Sequence, residues 1–317
     1  MTMTAARMKA ARLHAFGRPP VVEDVGTPVR PEGSTLVRVG AAAVGHLDLT
    51  VASGTFDVRP PLPHIGGTDA AGTVVASDTL PIGQRVIVRG GGVGLTRPGC
   101  WAEYVVVGDR HLILDDGALP LPTAATFLVP ATTAWVAVHD VAAVRAGERV
   151  IVGGAAGAVG RVIAQLAVLA GAEVIGVVGR ESSLARVPDG VRALTAEALP
   201  DRPWADAVID TIGGEPLTRA LRATVRGGRA ALIGYTRSPA LTLDLPNWLL
   251  SEVALLPVSM IHRAERQQQL LPTLTGLLVD GSISVPVTTF PLDRTAQACA
   301  DLAAGRIDGR AAVLPVA

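Results

Sequence analysis

Cysteine is nearly missing from this 317-residue chain: there are two, Cys100 and Cys299, far apart in sequence. Neither a disulfide framework nor a metal-ligand spacing can be assembled from such a pair. Net charge is missing too, with 28 Lys and Arg against 28 Asp and Glu and a pI of about 7.0. No basic face is implied, which argues against nucleic acid as a partner. A clean membrane span is also lacking. The long uncharged stretch between Asp116 and Asp140 is broken by Pro120, Pro122, Pro130 and four threonines. Arg7, Lys9 and Arg12 have no apolar core behind them, so no signal peptide is expected, and Met1 to Arg7 reads as a disposable leader. The default is a soluble cytoplasmic protein with no membrane partner.

What is present is apolar residue, 49% of the chain against 18% charged, enough for a large core. The length favours about two domains. Up to about Leu121 the chain reads as short strands with a turn every ten or so residues, a β-rich, barrel-like pattern. Near Pro122 the texture changes. Thr123 to Val138 reads as a helix interrupted at Pro130. Strand candidates Val150–Val152, Glu173–Val178, Val208–Asp210 and Ala230–Ile233 then alternate with helices, which predicts a parallel doubly wound sheet. Val253 to Met260 adds a last strand, confined to an edge by Pro257. Glu265 to Leu278 reads as a helix that Pro272 should kink or break. Ile283 to Val316 returns to strand, helix and strand, and rejoins the first domain.

One stretch organises the rest. Val150 to Val152 suits a buried parallel strand, Gly153 to Gly157 is a small-residue turn, and Val162, Ile163, Leu166 and Leu169 recur at helical spacing before Gly171 as a C-terminal cap. Gly154, Gly157 and Gly160 fall three apart. The first permits a tight turn, the second close approach of backbone to a pyrophosphate, and the third packing of helix on strand. Ala158 and Val159 open the helix, whose N-terminus offers amides and partial positive charge to phosphates. Dinucleotide binding is the expectation.

Several further motifs resemble the medium-chain dehydrogenase/reductase superfamily, in particular its zinc-free quinone oxidoreductase, or zeta-crystallin-like, branch. They are Gly67-Thr68-Asp69-Ala70-Ala71-Gly72, Gly99-Cys100-Trp101-Ala102-Glu103-Tyr104, Thr133-Ala134, Gly227-Gly228-Arg229 with Gly234, and Gly309-Arg310-Ala311-Ala312-Val313-Leu314. The resemblance covers nearly the whole chain from Met8. It implies an α/β fold, a Rossmann doubly wound parallel sheet (122–261) plus a β-rich GroES-like catalytic domain (1–121 with 262–317). It also implies a cofactor in the cleft and hydride transfer from NADPH to a small apolar quinone or α,β-unsaturated carbonyl, by a homodimer. Zinc members need a cysteine and a histidine where Gly45 and Thr68 stand, so no metal is expected. The branch commonly has asparagine at the place of Gly45 and tyrosine at that of Thr50. Those departures keep a second reading open, a non-redox biosynthetic enzyme or binding protein on the same fold.

Particular residues carry these expectations. Strand two exits through Val178-Gly179-Arg180 with no acid at its tip, where NAD-specific folds place one; Arg180 suits the 2′-phosphate of NADPH. His46 is assigned to the cofactor phosphates or to a hydrogen-bonded place in the cleft wall. Thr133 and Gly234, by resemblance, and Tyr235, by its place, complete the cofactor set. Tyr235 follows a strand's C-terminal end, where ligands bind, and with Thr50 is the candidate catalytic hydroxyl. Asp48 and Asp69 read as carboxylates that hold loops.

Overall fold

A computed structural model describes residues 6–261 and 263–315. Residues 1–5 of the expected leader lie outside that range. Arg7, its last residue, is the first residue of strand β1 (Arg7–Leu13), and the Ala6 carbonyl accepts from Thr27 N–H at 2.9 Å. The chain divides into two compact units, one running to Phe127 and resuming at Pro286, the other Leu128–Val285.

In the first unit, β1 is followed by β2 (Val21–Gly26), β3 (Ser34–Val44), α1 (His46–Ser53), β4 (His64–Ile65), β5 (Asp69–Ala76), β6 (Arg85–Arg89), β7 (Tyr104–Gly108) and β8 (Leu112–Leu114). Helix α2 (Leu121–Trp135) leads into the second unit. That unit holds β9 (Arg149–Gly153), α3 (Ala158–Leu169), β10 (Glu173–Val178), β11 (Arg192–Thr195), β12 (Ala205–Asp210), α4 (Gly214–Arg222), β13 (Thr224–Leu232), α5 (Leu245–Ser251), β14 (Ala254–Pro257) and α6 (Ala264–Val279). The chain then returns to the first unit as β15 (Val287–Pro291), α7 (Thr295–Ala303) and β16 (Arg310–Leu314).

The first unit is the expected β-rich domain. Its larger sheet runs β15-β16-β3-β5-β6-β8 with β7 also on β3, and a smaller sheet runs β2-β1-β4. Their apolar faces enclose Trp101, which is fully buried and donates its indole N–H to the Ala43 carbonyl at 2.9 Å. Gly66 and Gly67 make room for it, since a Cβ on either would stand 2.6 Å from the indole.

The second unit is a six-stranded parallel sheet of order β11-β10-β9-β12-β13-β14. Numbered within the unit, that is 3-2-1-4-5-6, the Rossmann order. Its central strand is apolar on both faces, with Val150, Ile151 and Val152 wholly buried, as a strand covered on both sides must be. Strand β11 has no apolar run and is not anticipated in the sequence.

Three expectations are corrected. The unit boundary falls at 128 and 285, so α6 belongs to the Rossmann unit and not to the returning tail; Gln165 on α3 receives the Ser284 N–H at 2.7 Å and helps hold that end. Pro130 and Pro272 sit inside α2 and α6, which run on without a break. An internal proline costs about 3 kcal/mol. Burial of Phe127, Leu128, Ala131 and Ala134 in α2, and of Leu270 and Leu274 in α6, outweighs that cost at roughly 1.5–3 kcal/mol per large apolar side chain. Residues Leu121–Val141 are long and apolar enough for a membrane span, but most of that stretch is buried inside the protein.

Candidate functional site

The glycine turn lies where β9 ends, at the point where the strand order of the sheet reverses between β10 and β12. Ligands of open α/β sheets bind beyond the strands' C-terminal ends at such a point. Gly154 turns the chain with φ of +78° and donates its N–H to the Val177 carbonyl at 2.9 Å. Gly157 donates to the Gly154 carbonyl at 2.8 Å and stands as N-cap of α3. A Cβ at Gly157 would press on that carbonyl at 3.2 Å, and a Cβ at Gly160 would run into it. The spacing is therefore a packing requirement. The amides of Ala158 and Val159, in the first turn of α3, have no intrahelical acceptor, no side chain caps them, and they form the partial positive end of the helix. These residues fit a dinucleotide pyrophosphate.

Neighbouring strand ends close around the turn. A Cβ on Gly154 would strike the Thr211 hydroxyl, and one on Gly234 would strike the Thr211 carbonyl, so Gly154, Thr211 and Gly234 are stacked at the ends of β9, β12 and β13. Thr211 donates its hydroxyl to the Gly153 carbonyl at 2.8 Å. Asp210 is buried beside Gly153 and accepts from the amides of Ile212 at 3.0 Å and Gly213 at 2.6 Å. Burial raises its carboxyl above the usual range, against the opposing pull of those amides. Neither Asp210 nor Thr211 was singled out in the sequence, although Asp-Thr-Ile-Gly-Gly at a strand's end marks a bonded turn. Tyr235 follows Gly234 and is 72% exposed. Arg180 is exposed two residues past β10 and precedes a short 3₁₀ turn, Glu181–Arg186. Thr133 is buried on α2, its hydroxyl bonded to the Val129 carbonyl at 2.7 Å.

The first unit gathers a different set. Asp48 clamps two segments, accepting from Gly45 N–H at 2.8 Å and from Thr68 N–H at 3.0 Å. Burial pushes its carboxyl up to about 7, opposed by the Gly45 amide; the Asp69 charge raises it further, and Arg310 and the Thr68 amide lower it. Asp69 in turn accepts from Arg89 at 2.8 Å and from the Thr68 hydroxyl at 3.2 Å. The loop-holding roles expected of both carboxylates are what the structure displays. Arg310 is brought in by register: β16 pairs with β3 as Ala311 opposite Val44, which sets Arg310 beside Gly45. A Cβ on Gly45 would lie 3.6 Å from its guanidinium. His46 opens α1 with part of its surface exposed, and its imidazole is held below the usual histidine range, first by desolvation and then by Arg310. A ring kept neutral at pH 7 donates one hydrogen bond and carries no charge. Thr50, also on α1, spends its hydroxyl proton on the His46 carbonyl at 2.9 Å. Thiolate and imidazole are the usual zinc donors; a glycine at 45 and a threonine at 68 do not supply them.

Two family models match this chain: alcohol dehydrogenase GroES-like domain over residues 31–117, and zinc-binding dehydrogenase over residues 162–313. A quinone oxidoreductase of Lama guanicoe is 28% identical over 325 residues, covering 95% of this chain and 96% of its own. A zinc-type alcohol dehydrogenase-like protein of Schizosaccharomyces pombe is 32% identical over 232 residues, covering 71% of this chain and 70% of its own. Among solved structures, an alcohol dehydrogenase superfamily protein from Novosphingobium aromaticivorans superposes with a TM-score of 0.82 at 26% identity, covering 97% of this chain and 99% of that one.

Proposed function

The chain belongs to the medium-chain dehydrogenase/reductase superfamily, in its quinone oxidoreductase branch, and from that premise we propose that it is an NADPH-dependent reductase of small apolar quinones or α,β-unsaturated carbonyl compounds. The observation that carries the reading is the Gly154–Gly160 turn onto an uncapped α3 at the switch point of a 3-2-1-4-5-6 sheet. When bound, NADPH supplies the hydride. The protein's part is to hold and orient it.

In this reading the amides of Ala158 and Val159 hold the pyrophosphate, with Gly154, Gly157 and Gly160 keeping the backbone close enough to reach it. Arg180 pairs with the 2′-phosphate, and His46, Thr133, Gly234 and Tyr235 line the rest of the cofactor. A neutral His46 serves by donating one hydrogen bond. With glycine and threonine at 45 and 68, no metal polarises the substrate, so the acceptor must itself spread the charge that develops. Quinones and enones do this through conjugation; saturated ketones do not. Tyr235, and Thr50 once its proton turns away from the His46 carbonyl, are the hydroxyls assigned to the developing oxyanion, and solvent supplies the last proton. Two copies meet along β14, which has β13 on one side and no strand on the other among the described residues.

The test is a substrate panel with purified protein. NADPH should be consumed with apolar quinones and enones and hardly at all with saturated ketones. Equal turnover of saturated ketones, or none with any conjugated acceptor, would reject the assignment.

A further inference from the structure

A groove of about 1060 Å³ runs along α4 in the Rossmann unit, between that helix and the segment 237–253. Its size is at the upper end for small-molecule sites. One wall is apolar: Leu221, Leu243 and Trp248 are half-buried there and Val253 is buried. Trp248 is fixed by its indole N–H on the Val253 carbonyl at 2.9 Å.

The charges around this wall are unequally matched. Glu215 is engaged by Arg219 at 2.9 Å, and Arg226 is held by Glu252 through two bonds of 3.1 and 3.0 Å. Asp244 accepts from the neutral Asn247 amide at 2.6 Å and keeps its charge, one carboxylate against two further arginines. Arg222 and Arg237 remain. Among the described residues neither guanidinium makes a hydrogen bond or an ion pair, and Arg237 meets the Glu197 carboxylate only through space. Arg237 lies over Gly214, its Cγ 3.5 Å from where a Cβ would stand, so it marks the N-terminal end of α4. Arg222 is the helix's last residue. At 1.5 Å per residue the helix positions these two arginines mark, Gly214 and Arg222, are roughly 12 Å apart along the helix axis. An apolar trough whose two arginines make no hydrogen bond or ion pair among the described residues, and outnumber the one carboxylate left in the lining, complements an elongated apolar molecule with an anionic head.

We propose that this groove is a second ligand site, separate from the glycine turn, and that it takes a medium-chain aliphatic carboxylate with its chain along Leu221 and Trp248 and its head on Arg222 or Arg237. The inference does not rest on the proposed reductase activity.

Equilibrium dialysis of labelled decanoate against the full-length protein tests it. Saturable binding of about one decanoate per chain is expected, undisturbed by saturating NADPH. Decanol, which lacks the charge, should bind at least about tenfold more weakly, as should decanoate to the doubly substituted Arg222→Gln, Arg237→Gln protein. Leu221→Asp should abolish binding while leaving the circular dichroism spectrum unchanged. Absence of saturable binding, as would follow if a second copy covers the groove, overturns the proposal. So does displacement by NADPH, equal affinity for decanol, or undiminished binding to the double variant.

Discussion

Arg180 stands two residues past β10, near where an acid would bind the two ribose hydroxyls of NAD. A charged hydrogen-bonding pair contributes about 1.5–3 kcal/mol, or roughly ten- to a hundredfold in affinity. Wild-type protein should therefore bind NADPH that much more tightly than NADH, and Arg180→Ala should erase most of the difference in a fluorescence titration; equal wild-type affinities would remove Arg180 from the site. Asp48 gives a prediction about stability. Its carboxyl titrates near 3.8 when unfolded and at about 7 when folded. Between those values the folded state holds a proton that the unfolded state has released. Stability from this group is thus full at low pH and is lost as pH rises from about 4 to 7, by up to about 1.4 kcal/mol per unit. Relative to Asp48→Asn, the wild type should gain in thermal midpoint as pH falls through that window, and a constant gap would show an unshifted carboxyl. Thr50 already donates its proton to His46, and Tyr235 is largely exposed. Neither is built as a sole acid, so Thr50→Ala and Tyr235→Phe should each lower kcat/KM by less than about a hundredfold.

Elements differed in how far they could be read in advance. The unit β9–Gly154–α3 was legible because each signal is local: a β-branched run, glycines three apart, and an apolar helical period. The exit of β10 was legible for the same reason. Strand β11 was not, since Arg192-Ala193-Leu194-Thr195 has a single large apolar residue and owes its place to pairing with β10. Proline was over-read at 130 and 272, where burial decides against the local rule. In the first unit, the clamp of Asp48 on Gly45 and Thr68 joins segments some twenty residues apart, and Arg310 reaches Gly45 through the register of β16 on β3. Neither contact has a local signal. Strand β14 carries the prediction at this scale. It is short, apolar at Leu255 and Leu256, and ends at Pro257. Light scattering at micromolar concentration should give the mass of a dimer; a monomer would remove the sheet-extending contact from the account.

For the whole molecule, a Rossmann sheet, a β-rich unit and the quinone oxidoreductase relatives together support an oxidoreductase. Positions 45 and 68 carry neither thiolate nor imidazole. Elemental analysis should find no stoichiometric zinc, and chelators should leave activity unchanged. One zinc per chain with chelator-sensitive turnover would mean that ligands come from elsewhere. The central claim is that the nicotinamide hydride ends on a carbon of a conjugated acceptor. Turnover of an enone with NADPH deuterated at C4, tested separately for each face, followed by mass spectrometry and NMR of the product, measures this directly. The account predicts one deuterium on the β-carbon of the saturated product from one of the two labelled faces. NADPH that binds while the enone is recovered unreduced, or a reduced product without deuterium from either face, would contradict it.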